Sequence, residues 1–239
     1  MWPVCKKELR QFFSSLTGYI AIIIFLLLTG SILFVLPDNI LDFGYATLDK
    51  FFQIAPWILL VMIPAITMRS FSEEFKGGTF EILQTLPITR WQLVSGKYFA
   101  ALLVVFIALL PTLIYPYSLQ QLSAGGGIDA GGTAGSYIGL ILLSACFVAI
   151  GICCSSLTTN AVVAFIASAF LCIVVYGAFT AISRIPAFEG GMDYYLEMLG
   201  IDFHYRSLSR GVVDTRDIIY FISVIVLFLV ITHRNLVKR

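Results

Sequence analysis

The chain has 239 residues, 59% of them hydrophobic and only 12% charged, with a mean hydropathy of +0.94. A soluble domain is roughly a quarter charged, so this balance excludes one and points to an all-α protein that crosses a membrane several times. The formal net charge of +1 conceals a strong asymmetry along the chain.

The first residues read as an amphipathic helix. Between Trp2 and Leu16 the apolar side chains Trp2, Cys5, Leu9, Phe12, Phe13 and Leu16 recur at helical spacing, with Lys6, Lys7, Arg10, Gln11 and Ser14 on the other face. Such a helix lies in a membrane interface, and Gly18 offers a bend into the first span. The alternative is a straight extension of that span with a positive flank. No cleavable signal peptide is recognisable.

Uncharged runs long enough to cross a hydrocarbon layer of about 30 Å extend over Tyr19–Leu36, Phe51–Met68, Tyr98–Leu119, Tyr137–Leu157 and Ala161–Ser183. A sixth run, Ile218–Thr232, has 15 residues and covers about 22 Å at a rise of 1.5 Å per residue. It therefore needs its flanks Asp217, His233 and Arg234, or a thinned bilayer, to reach both interfaces. Six spans put both ends on one side. The segments on that side carry ten basic residues against four acidic ones, +6; the opposite segments carry five against ten acids from Asp38 to Asp217, −5. The positive-inside rule then places both ends in the cytoplasm. The chain is read as one membrane domain over residues 1–239.

Between spans two and three lies a polar island of 29 residues, Arg69 to Lys97, where two to eight would close a hairpin. Ser70 and Glu73 fit a capping box that opens a short helix ending at Lys76, and Gly77 and Gly78 break it. Thr79 is expected to cap a second helix, with Glu81 near its positive end. That helix offers Phe80, Ile82, Leu83 and Leu86 at helical spacing and stops before Pro87. Thr89 and Gln92 form another capping box around Arg90, opening the helix that becomes span three. The turn at Thr158, Thr159 and Asn160 shows how short such a connection can be.

Other chemistries find no support. The glycine-rich segment at Gly125, Gly126, Gly127, Gly131 and Gly132 is expected only to close a turn, because no GxxxxGK[ST] order follows. Trp91 and Tyr98 spoil the same motif around Gly96 and Lys97. Only two histidines occur, His204 and His233, which excludes an HExxH zinc site. The spans hold no Asp, Glu, Lys or Arg, which disfavours ion coupling, and no intramembrane protease signature is present. No cofactor or metal and no nucleic-acid partner is expected. Cys146, Ala149 and Cys153, like Ala164, Ser168 and Cys172, form small-residue packing stripes, and the cysteines offer no disulfide framework.

The stretch EEFKGGTFEILQTLPITRWQLVSGKY resembles the signature loop of ABC-2-type transporter permeases, and LGIDFHYRSLSRGVVDTRDIIYF resembles the segment these carry between spans five and six. DFGYATLDKFF, APWILLVMIPAITMRSF and LLPTLIYPYS are similar to the gliding-motility-associated permease of that family. The resemblance covers nearly the whole chain. It implies that Thr79 to Leu86 is a coupling helix docking on a separate ABC ATPase subunit, with Glu73, Glu74, Pro87 and Arg90 around that contact. It also implies a bacterial inner-membrane exporter working as a pair of permeases. Phe12 and Phe13 of the interfacial helix and Thr29, Gly30 and Ser31 of span one are the expected partner face and gate. Pro56, Pro64, Pro111 and Pro116 either kink spans two and three for transport or are merely tolerated there. Tyr194, Tyr195, Phe203 and Tyr205 in the outer segment belong either to a lid over the exit, dipping among membrane lipids, or to a docking surface. Two other functions remain open, a non-transporting scaffold of a motility or secretion machine and an ion-independent facilitator.

Overall fold

The computed structural model describes residues 1–36, 47–85, 87–123, 127–185 and 192–238, so Asp38, Leu86, Gly125 and Gly126 lie outside the described residues. All regular structure described is helical. The chain opens with α1 (Trp2–Ser14) and α2 (Leu16–Phe34). They meet at 72° across an extended Ser15, so α1 is not a straight extension of span one. Gly18 sits where the two helices close up, since a Cβ there would lie 2.7 Å from the Phe12 carbonyl oxygen.

Span two is α3 (Asp49–Thr67), which runs with one turn at Met68 into α4 (Arg69–Lys76). After α5 (Thr79–Gln84), span three is built from α6 (Arg90–Leu109), a 3-10 turn (Leu110–Leu113) at Pro111, and α7 (Ile114–Leu122). Span four is α8 (Ala130–Leu157); span five is α9 (Ala161–Ile173), a π-helical turn (Val174–Ala178) and α10 (Phe179–Ser183). Two short helices, α11 (Met192–Glu197) and α12 (Ile201–Leu208), precede the last span, α13 (Thr215–Val237). Five of these helices are long and apolar enough to cross a membrane, and the bent α1–α2 pair makes a sixth candidate.

The last span is longer than its 15-residue apolar run. With 23 residues it reaches about 34 Å at 1.5 Å per residue, so no thinned bilayer is required. Its ends are polar but helical, because Asp214 accepts the Arg216 N–H at 3.0 Å as an N-cap and Arg234 sits in the last turn, where the helix dipole favours a cation.

α8 is the central post. Its apolar window is 83% buried against 22% for span five and 17% for α13, so the other spans lean on it and keep one face for lipid or a partner. Both small-residue stripes are buried here, Cys146, Ala149 and Cys153 on α8 and Ala164, Ser168 and Cys172 on α9. The glycine segment is more than a turn. Asp129 caps α8 by accepting the Gly132 N–H at 3.0 Å, which starts the helix at Ala130 despite the glycines. They leave room for the turn after α12: a Cβ on Gly135 would lie 2.8 Å from the Gly211 Cα, and Gly211 has φ +82°.

The prolines have a use as well. A proline has no N–H, so the carbonyl four residues before it loses its helical partner. Pro56 orphans the Phe52 carbonyl in this way and Pro116 orphans that of Thr112. Each is filled by a tyrosine from another element: Tyr205 of α12 donates to the Phe52 oxygen at 2.7 Å, and Tyr137 of α8 donates to the Thr112 oxygen at 2.9 Å. Phe51, Phe52, Tyr115 and Tyr137 pack edge-on around these bonds.

Candidate functional site

Both termini lie at one end of the bundle with α4, α5 and the start of α6. Trp91 stacks on His233 there at 4.4 Å, and Asn235 donates to Ser156 at 3.3 Å. At this end Lys97, only 1% exposed, lies in α6 one residue ahead of the uncharged run that begins at Tyr98, and points into the junction of α1 and α4. Its Nζ lies 2.8 Å from Glu8 Oε1 of α1, 2.9 Å from Glu74 Oε1 of α4 and 2.6 Å from the Ser70 carbonyl oxygen. It also sits 4.9 Å above the Phe71 ring. Lys7 adds a second cation 3.1 Å from the same Glu74 oxygen. Two ammonium groups thus face two carboxylates, and three elements are tied by one buried cation. α1 fits this closely because Gly96 is a notch, where a Cβ would come within 2.9 Å of the Val4 Cβ. Burial, with the Glu8 charge adding to it, holds the Cys5 thiol above its ordinary value.

The α3–α4 junction is capped differently from the expectation. No side chain of the loop caps α4; Glu73 pairs with Arg69 at 3.2 Å instead of closing a box with Ser70. The work falls to Ser155 of α8, whose Oγ accepts the N–H groups of Phe71 and Ser72 at 3.0 and 3.2 Å and donates to the Met68 carbonyl at 3.0 Å. Continuous helical backbone through Met68 leaves the first N–H groups of α4 turned toward α8, where a small hydroxyl reaches them. Gly78, left-handed at φ +67°, stands at the N-cap of α5 in place of Thr79, and the Thr79 hydroxyl donates to the Glu74 carbonyl at 3.4 Å. The box at Thr89 and Gln92 is formed in both arms, at 3.3 and 3.2 Å.

α5 turns one aromatic inward and the rest outward. Phe80, 6% exposed, packs edge-on to Phe75 at 4.9 Å, and Phe75 stacks on Phe71 at 6.0 Å. Phe80 is therefore an anchor and not an offered side chain, and Glu74 belongs to the Lys97 cluster. Glu81 and Ile82 are exposed, the latter 65%, with Leu83 half-buried and Pro87 exposed beside them. Phe80, Phe75, Phe71 and Lys97 thus form a contact chain from α5 to α1. Lys7, Glu8, Lys97 and Ser155 escape sequence reasoning because nothing in their spacing links positions up to 89 residues apart.

The other expected residues are dispersed. Phe12 and Phe13 meet edge-on at 5.5 Å at the α1–α2 corner. The Thr29 hydroxyl turns into the subunit, bonded to the Phe25 carbonyl at 2.9 Å and 3.2 Å from the Tyr115 hydroxyl, and Gly30 borders the same tyrosine. Ser31 faces outward. At the opposite end Tyr194 and Tyr195 are exposed, Phe203 is half-buried against Tyr194, and Tyr205 is buried on Phe52.

Comparison with curated proteins gave no match. The model of the family described as ABC-2 family transporter protein matches residues 2–233. The chain therefore belongs to that family, as a multi-pass membrane permease subunit of a transporter powered by an ABC ATPase partner.

Proposed function

We propose that this permease is one half of an ATP-driven exporter in which α5 is the coupling helix, receiving the ATPase through Glu81, Ile82, Leu83 and Pro87, with Glu73 and Arg90 at the margin. The observation that carries this is the outward-facing α5 anchored by Phe80 to the buried Lys97 cluster. A push on α5 passes through Phe75 and Phe71 to Lys97 and so to α1, the interfacial helix, and to span three. Replacing Glu81 by Lys together with Leu83 by Asp puts an unpaired charge into the contact at a cost of about 2 to 5 kcal/mol. The double variant should insert normally yet no longer retain the ATPase in mild detergent. Retention at wild-type yield would end this reading.

The charge asymmetry supports cytoplasmic termini, and the family resemblance supports a bacterial inner-membrane location. Impermeant labelling of single cysteines in spheroplasts is expected at residue 127 and not at residue 237; the reverse pattern inverts the topology. The resemblance to gliding-motility permeases supports a role in motility or an associated secretion step, with a second permease chain as partner. Loss of gliding or secretion on deletion, restored by the wild-type chain and not by the docking variant, tests that role.

A further inference from the structure

At the end of the bundle opposite the termini, α12 packs on the start of α13 while α11 packs on α10, and His204 of α12 is buried at the α12–α13 seam, 5% exposed. Its Nδ1 lies 2.7 Å from Asp217 Oδ1 and its Nε2 lies 3.0 Å from the Met198 carbonyl oxygen. The ring stacks on Tyr220 at 3.9 Å, and the Tyr220 hydroxyl donates to the Leu199 carbonyl at 2.7 Å. Both atoms facing the imidazole are acceptors. A neutral imidazole has a single N–H, so it can serve one of them and must turn a lone pair toward the other. The seam is satisfied only when the pair holds one more proton than a neutral histidine and a carboxylate.

We propose that His204 is a proton-operated latch: its imidazolium ties α12 to the last span, and loss of that proton as pH rises loosens the α12–α13 seam. The seam borders a cavity of about 440 Å³, which release would widen. The other charged groups around it do not replace the missing donor. From α11 and α12, Glu197 and Asp202 are both engaged by Arg206. From the α13 side, Asp214 is occupied as the helix cap. Arg210 and Arg216 line the cavity, but among the described residues neither bonds Asp217. That carboxylate keeps a second oxygen buried without a partner. With a neutral His204 it is a buried, uncompensated anion, which further favours opening and hydration.

The direction follows: the latch holds at low pH and is lost as pH rises. The test uses the full chain in lipid nanodiscs with isotope-labelled histidine. Two histidines give two imidazole signals, and His204→Gln assigns them. As pH is raised the His204 signal should pass from doubly protonated, with both nitrogens bonded, to neutral. Over that transition, hydrogen exchange of residues 198–210, corrected for its intrinsic pH dependence, should quicken about tenfold or more, as expected for losing one charge-assisted hydrogen bond. His204→Gln should show the faster exchange at every pH. A His204 that is neutral throughout, or that titrates without any change in exchange, overturns the proposal. If the variant does not fold, coincidence or non-coincidence of the two wild-type curves still decides. No ATPase or substrate enters the assay, so its outcome is independent of the transport reading.

Discussion

Lys97 donates to Glu8 and to the Ser70 carbonyl and is ion-paired with Glu74 at 2.9 Å, so its buried charge is compensated by two carboxylates. Such a buried group contributes little net stability when intact, because desolvation offsets attraction, yet removing one partner strands the others. Lys97→Met should therefore destabilise the subunit by about 3 to 5 kcal/mol, leaving Glu8 without its cation beside a Glu74 that only the half-exposed Lys7 still pairs. Lys97→Met combined with Glu8→Gln and Glu74→Gln should recover most of that loss. Thermal unfolding in detergent, read on the single and triple variants, checks both arms. Equal damage in the two would mean the cluster acts by shape and not by charge. A second readout separates stability from coupling: if Lys97 relays the push from α5, the triple variant should fold and bind the ATPase but stimulate ATP turnover and transport poorly.

Elements here are joined by bonds that a helix cannot supply to itself. Where Pro56 removes an N–H, α12 lends the Tyr205 hydroxyl to the Phe52 carbonyl, and where α4 begins without a cap, α8 lends Ser155. Tyr205→Phe should leave the Phe52 oxygen buried and unbonded, at a cost of about 1 to 3 kcal/mol. In a Pro56→Ala background the restored N–H can serve that oxygen, so the same tyrosine change should cost only a few tenths of a kcal/mol. The double-mutant cycle measures this difference as a coupling energy, and a coupling near zero would remove the proposed relation between kink and tyrosine. The same contacts mark the boundary of what sequence reveals. The spans, the Gly-Gly break and the Thr89 box were legible, because hydrophobic length, left-handed backbone and capping spacing are local signals. The Ser70–Glu73 box was misread, because a cap from α8 84 residues away satisfies the same N–H groups. Phe80 was read as offered to a partner, because amphipathic spacing says which face is apolar and not what covers it. For the last span the sequence left two ways to reach both interfaces, and the structure takes the one in which the polar flanks Asp217, His233 and Arg234 continue the helix.

At the scale of the whole molecule, α8 is surrounded while spans one and five present apolar faces outward. On span one Ile23, Leu27 and Ser31 face out; on span five Val163, Ile166 and Phe170 do so. In a bilayer such faces need no burial, since lipid tails are as apolar as leucine, so exposure alone selects neither as a seam. Span one is favoured by mechanics. It is continuous through the 72° corner with α1, which the Lys97 cluster ties to α4. If α5 is the coupling helix, a tilt delivered through it would arrive at span one before it reached span five, which touches α4 but has no charged residue to tie to it. Thr29 is committed to Tyr115, so the contact would be made by the outward row and not by the inward hydroxyl. Single cysteines at positions 23 and 27, placed in a cysteine-free chain and paired with cysteines on the facing span of the second permease, should cross-link in native membranes. Positions 163 and 170 should not. Cross-linking through 163 and 170 alone would move the seam to span five and break the proposed path from α5 to the partner. Full ATP-driven transport by a single permease chain reconstituted with its ATPase would remove the seam altogether.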